Sequence, residues 1–265
     1  MKFSIRQASH IGNRKFNQDR AAYAYSSDAL LLVLADGMGG HLHGEVAADL
    51  IIGTFVESFG RDAQPRIANP GEFVSGVMRH ANERILRLVH DEALGGFPGS
   101  TCVAALIQDG EVCWGHAGDS RLYLLRDGAV LTKTRDHSMV QQWMEWGMIT
   151  AEEARVHPQR NQITNCLGGV EDMFYMEHGQ SVALQSGDVL LIGSDGLWGP
   201  FTDQELAEAF AAKPVVAGVL DDMIARALER EGGRSDNVTG IAVRWGEGEA
   251  THDTGEPICH KLKIA

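Results

Sequence analysis

The chain has 265 residues, 44% of them apolar and 22% charged, with 36 acidic against 23 basic side chains and a net charge of −13. That balance is ample for the core of one large domain and argues against wholesale disorder, while the acidity disfavours a nucleic-acid partner, because phosphate backbones demand basic patches. No apolar run approaches the roughly 20 residues of a membrane helix, and residues 1–7 lack the apolar stretch of a signal peptide.

Residues 3–9 and 20–25 read as two strands joined by a polar loop that carries Arg14, Asn17, Gln18 and Asp19. Residues 30–35 form a short, uninterrupted apolar run, the pattern of a strand buried on both faces. It stops at Asp36, followed by Gly37, Gly39 and Gly40. These glycines permit positive φ angles and a close approach to the backbone. Residues 44–59 place Val46, Ala47, Leu50, Ile51, Thr54 and Phe55 at three- and four-residue spacings, and residues 73–89 repeat the pattern. Two amphipathic helices covering one sheet are expected. From residue 100 onward, short strand-like runs (101–108, 111–117, 121–126 and 129–134) are separated by Asp109-Gly110, Gly118-Asp119 and Asp127-Gly128. Asp-Gly between such runs signals hairpins, so an antiparallel meander rather than βαβ topology is expected.

Asp136 or Ser138 is available to cap a helix over residues 139–146. Residues 147–169 are polar and broken by Pro158, the composition of an excursion that shapes a substrate entrance. Strands are expected over 173–184, 188–194 and 238–245, and helices over 202–211 and 215–231. The domain therefore spans 1–245, and residues 246–265 form a loop-like tail outside the core. The four cysteines, Cys102, Cys113, Cys166 and Cys259, show no metal-ligand spacing, so free, buried thiols in a cytoplasmic protein are expected.

Five aspartates, Asp19, Asp36, Asp119, Asp195 and Asp236, recur at the ends of strand-like runs. One Asp-Gly alone is an ordinary turn. Carboxylates gathered at one sheet edge repel one another unless cations neutralise them.

The ordered segments Arg14-x-x-Asn17-Gln18-Asp19, Asp36-Gly37-Met38-Gly39-Gly40-His41, Gly99-Ser100-Thr101, Gly118-Asp119-Ser120-Arg121, Asp136-His137-Ser138, Ser194-Asp195-Gly196-Leu197-Trp198 and Ser235-Asp236-Asn237-Val238-Thr239 resemble the metal-dependent protein phosphatases of the PP2C (PPM) family, bacterial type. The resemblance runs from about residue 4 to residue 245. It implies an α+β fold, a four-layer αββα sandwich of two antiparallel sheets flanked by helices. It also implies hydrolysis of phosphoserine and phosphothreonine in proteins by direct attack of a metal-bridging water, opposing a bacterial Ser/Thr kinase in signalling. By the same resemblance, Asp36 bridges two Mn²⁺ or Mg²⁺ ions and the Gly37 carbonyl completes one site. Asp19, Asp195 and Asp236 supply the other protein ligands, Asp119 holds a third, weaker ion, and Arg14 grips the substrate phosphate. Hard oxygen ligands suit these cations and not a structural zinc. A cytoplasmic monomer is expected.

Met38 stands where eukaryotic relatives carry a proton-donating histidine, and Gln18 where they carry Glu. Protonation of the leaving group is therefore unassigned; His41 or His43 could contribute, although turn packing or loop exposure accounts for either equally well. A catalytically silent binding module and a hydrolase of small phosphate esters are the competing readings. Retention of the full aspartate set argues against the first, and the absence of a Gly-x-x-x-x-Gly-Lys-Ser/Thr loop makes a nucleotide triphosphatase unlike this chain.

Overall fold

A computed structural model of the chain describes residues 1–38, 44–92, 98–169, 174–213, 216–246, 249–250 and 258–261. It opens with β1 (Lys2–His10), β2 (Asp19–Tyr25) and β3 (Ala29–Met38), then α1 (Gly44–Asp62) and α2 (Pro70–Glu92). There follow β4 (Gly99–Ser100), β5 (Cys102–Gln108), β6 (Glu111–Ala117), β7 (Arg121–Arg126) and β8 (Ala129–Lys133). An excursion carries α3 (Met139–Glu145), α4 (Ala151–Val156), β9 (Leu167–Gly168), β10 (Glu177–His178) and β11 (Val182–Ala183). The chain closes through β12 (Val189–Gly193), α5 (Asp195–Trp198), α6 (Asp203–Ala212), α7 (Val216–Glu231), β13 (Val238–Trp245), β14 (Glu249–Ala250) and β15 (Ile258–Lys261).

Two sheets result, one in the order β14-β1-β13-β12-β7-β8 and the other β10-β6-β5-β3-β2-β15, with every pairing between these strands antiparallel. Strand alternation divides the core into three layers. Leu30, Leu32 and Leu34 of β3 and Val103, Ala105 and Ile107 of β5 meet Leu122, Leu124, Leu190, Ile192, Ile241 and Val243 of the other sheet. The intervening residues Leu31, Val33, Ala104 and Leu106 pack outward on Ile51, Phe55, Met78 and Ile85 of α1 and α2. Tyr123, Leu125, Leu191 and Ala242 face Leu206, Phe210, Leu220 and Met223 of α6 and α7. Helices thus flank two sheets in four layers, the αββα sandwich that the resemblance implies. At such positions a Leu→Ala change costs about 2–5 kcal/mol.

The Asp109-Gly110 and Asp127-Gly128 turns take positive φ at both residues, as their hairpin role predicts, but the expected meander breaks at Gly118-Asp119, where the chain crosses from β6 in one sheet to β7 in the other. Other expectations need correction. Residues 177–183 form two short strands, β10 and β11, rather than one long one, and residue 173 lies outside the described residues. The tail is not wholly loop: β14 pairs with β1 and β15 with β2, at the sheet edges. In β15, Cys259, His260 and Lys261 are exposed. All four cysteines are free, but only Cys102 is buried; Cys113 and Cys166 are half-buried and Cys259 is exposed.

Candidate active site

The β2–β3 ladder sets Asp19 directly opposite Asp36. The Asp36 backbone is tied on its other side by Thr101, whose N–H donates to Asp36 O at 2.9 Å and whose Oγ1 accepts Asp36 N–H at 3.0 Å. Gly37 is required by close approach rather than by positive φ. A Cβ there would lie 2.2 Å from the Gly44 carbonyl oxygen, at the start of α1. Gly39, Gly40, His41 and His43 lie outside the described residues.

From the other sheet, β12 ends at Gly193, and α5 begins at Asp195 after Ser194. The Ser194 hydroxyl donates to Asp19 Oδ2 at 2.8 Å, joining the two sheets at the site. Asp236 precedes β13, and its Oδ2 accepts Arg14 at 2.5 Å. The Arg14 loop is stapled from below by Asn237. Its Nδ2 donates to the Ile11 and Phe16 carbonyls and its Oδ1 accepts Gln18 N–H, at 2.8, 3.1 and 2.8 Å. The sequence assigns Asn237 no role of its own; its place beside Asp236 is the one signal for it. The Gln18 side chain turns away to Glu45.

The five aspartates share one electrostatic neighbourhood. The Asp36 carboxyl is raised well above the usual carboxylate range, first by burial and then by Asp19, Asp195, Asp119 and Asp236. Asp195 is raised in the same way, by burial and then Asp119, Asp236 and Asp19. Burial lifts Asp19 to about 6 against the pull of hydrogen bonds from Thr239 and Ser194, and burial with Asp136 lifts Asp119 to about 7. Asp19 Oδ1 is buried with no hydrogen-bond partner. An orphaned carboxylate oxygen inside an all-oxygen cluster of like charge fits hard divalent cations.

A second cluster, His116, His137 and Glu177, brings three ligand-type atoms within 4.8 Å of one another. Hydrogen-bond accounting gives it a different role. The Arg135 carbonyl can only accept, so His116 Nε2, 2.7 Å away, carries a hydrogen. The Gly118 N–H can only donate, so His137 Nδ1 holds the lone pair and its Nε2–H is given to Glu177 at 3.2 Å. His137 keeps no lone pair for a cation, and Arg135 stands 3.7 Å from the same Glu177 carboxylate.

The helix-capping expectation for residues 136 and 138 is half right. Ser138 caps α3 by accepting Gln141 N–H, whereas Asp136 forms a bidentate pair with Arg121 at 2.7 and 2.6 Å.

The family profile described as protein phosphatase 2C matches residues 6–237. Protein phosphatase PhpP of Streptococcus pneumoniae is 31% identical over 242 residues, 91% of this chain and 96% of PhpP. The serine/threonine protein phosphatase PstP of Mycobacterium tuberculosis is 38% identical over 232 residues, 86% of this chain and 42% of PstP. A solved catalytic domain of PstP, in complex with 2 manganese ions, superposes with a TM-score of 0.76 at 34% identity, covering 91% of this chain and 97% of that one. The chain belongs to the protein phosphatase 2C family. It is accordingly an enzyme of phosphoprotein hydrolysis.

Proposed function

We propose that the chain is a metal-dependent protein serine/threonine phosphatase that opposes a Ser/Thr kinase in the cytoplasm, acting as a monomer. The observation that carries this reading is the set of five mutually repelling aspartates, with Asp19 Oδ1 orphaned among them. Asp19, Asp36, Asp195 and Asp236, with the Gly37 carbonyl, would hold two central Mn²⁺ or Mg²⁺ ions; Asp119 with Asp195 would hold a third, weaker one. When bound, the ions lower the pKa of water toward neutrality and offset phosphoryl charge.

The chain's own residues position the substrate. Arg14 is a planar guanidinium, more than half exposed at the mouth, with the Asp236, Asp195 and Asp36 carboxylates all favouring its charge. It can bind two phosphate oxygens while the Asn237 staple fixes its loop. Met38 offers no proton to a departing serine or threonine oxygen, so the acidic function falls to the neighbourhood of Asp119. The excursion with α3 and α4 would border the substrate entrance. No helix among the described residues is long and apolar enough to cross a membrane.

Turnover of a phosphothreonine peptide, measured with Mn²⁺ and after exhaustive chelation, tests the reading. Activity is expected with the metal and absent without it; full turnover in chelator would sink the metal assignment, and hydrolysis of p-nitrophenyl phosphate alone would point to small esters.

A further inference from the structure

Asp119 lies in the turn between β6 and β7, outside both ladders, yet the backbone on either side of its side chain and the neighbouring Ser120 hydroxyl are held by residues from elsewhere in the chain. Gly118 is held on both sides by one residue: its N–H donates to His137 Nδ1 at 3.1 Å, and its carbonyl accepts His137 N–H at 3.0 Å. The Asp119 carbonyl accepts the Trp198 indole N–H at 3.1 Å. Ser120 Oγ lies 2.7 Å from Thr101 Oγ1. Trp198 ends the short helix that Asp195 begins, and the Arg121 guanidinium stacks 3.4 Å from its ring centroid.

The Arg121 charge is already committed. Asp136 takes its Nε and a terminal nitrogen, and Tyr123 OH takes the other at 2.7 Å. Its direct hydrogen bonds thus go to Asp136 and Tyr123 rather than to the Asp119 carboxylate. His137 is locked in turn. Its ring lies between His116 and Tyr175, each 4.7 Å between centroids, and its Nδ1 also accepts Asn165 Nδ2 at 2.7 Å. Asn165 is fixed by both backbone groups of Tyr175. Burial and the neighbouring His116 push the His137 ring down to about 4, which keeps Nδ1 an acceptor at neutral pH.

We infer that His137 and Trp198 are positioning residues for Asp119: they clamp the backbone on either side of its carboxylate and set it against Asp195 for the weakest-bound cation. Asp136 supports the clamp by holding Arg121 under Trp198. The inference rests on reading Asp119 as a ligand of that third ion. It also explains the Asp136-His137 pair, which the capping role of Ser138 leaves unexplained. Partners that orient ligands commonly set metal affinity by about 10–100-fold.

The test is Mn²⁺ calorimetry on the full chain, with thermal melting in chelator to verify folding, for the parent, Asp119→Ala, His137→Leu, His137→Asn and Trp198→Phe. Leu removes the Nδ1 acceptor, Asn restores an oxygen near its position, and Phe keeps the stacked ring but loses the N–H. His137→Leu and Trp198→Phe should weaken the last cation about tenfold or more with the first two unaffected, and His137→Asn should recover most of the loss. If Asp119→Ala loses that cation while His137→Leu and Trp198→Phe bind it like the parent, the positioning role is overturned. If Asp119→Ala itself binds every cation like the parent, the reading of Asp119 falls and takes the inference with it. Should His137→Leu not fold, Trp198→Phe decides alone.

Discussion

Asp19 and Asp36 face each other across a β-ladder, whereas Asp119 sits in a loop and is placed by His137 and Trp198, 19 residues from Gly118 and 79 residues from Asp119 along the chain. The ladder carboxylates inherit their geometry from strands whose outward and inward faces are both buried, so moving them means moving the core. The loop carboxylate depends on a few polar contacts, each worth about 0.5–1.5 kcal/mol net. Rigidity is therefore built in at one end of the cluster and adjustable at the other.

The hardest way to break the comparison is at the ladder. Asp36→Asn should lower kcat/KM on a phosphothreonine peptide by about 10³-fold or more, as loss of a preorganised electrostatic group does. The metal-free protein should nevertheless melt higher than its parent, because one repelling carboxylate is gone; a variant that unfolds in chelator where the parent does not would make Asp36 structural. Asp119→Ala should cost about 10²-fold on the peptide and clearly less on p-nitrophenyl phosphate, whose leaving group needs no proton. Equal losses on the two substrates would remove Asp119 from leaving-group chemistry.

Arg14→Ala touches the cluster from its exposed side and should cost about tenfold in kcat/KM, seen in KM if the contact is equal in ground and transition states. An unchanged kcat/KM places Arg14 outside the site. The smallest effect is on stability. Asp19 and Asp119 titrate in the folded state at about 6 and about 7, above the unfolded value, so the folded protein holds more protons and their stabilising share is lost as pH rises through those values. His116 and His137, shifted downward, act oppositely as the unfolded imidazoles lose their protons around pH 6.5, but Asp36 and Asp195, raised well above the usual carboxylate range, add to the fall. Melting in chelator should therefore fall by a few degrees, about 2–4 °C per kcal/mol for a chain of this size, between pH 6.5 and 8. Saturating Mn²⁺ should abolish that slope; a flat profile in chelator would mean that the carboxylates do not repel as argued.

The strand-end aspartates were readable in the sequence because each lies at the end of a strand-like run, Asp36, Asp195 and Asp236 beside glycine, asparagine or serine as well. Asp36 and Asp195 each carry the same Asp-Gly signature. The clamp half was not readable. Asp136 looks like a helix cap, and His137 and Trp198 stand in the motifs without a role of their own, since nothing local reveals which distant backbone they grip. Of the two reasons the sequence offers for Gly37, close approach holds and positive φ does not, and the group that approaches is the Gly44 carbonyl, seven residues on. The edge strands of the tail escaped for a related reason: residues 258–261 bury little apolar surface, and their pairing is decided by the exposed ladder of β2.

That last pairing has a consequence for the protein in a crowded solution. An outer strand with free N–H and C=O groups is a template for any other extended chain. β15 occupies those groups on β2 over residues 22–25, and His260 lies flat on Tyr23 at 4.6 Å between ring centroids. The covered strand is the one that begins at Asp19, so a foreign strand adding there would pull on the candidate site as well as seed self-association. Light scattering of a chain shortened to Gly246, against the full chain at equal concentration, would read how much of the protein's solubility this short selvedge supplies; equal scattering would show that the edge is harmless when bare.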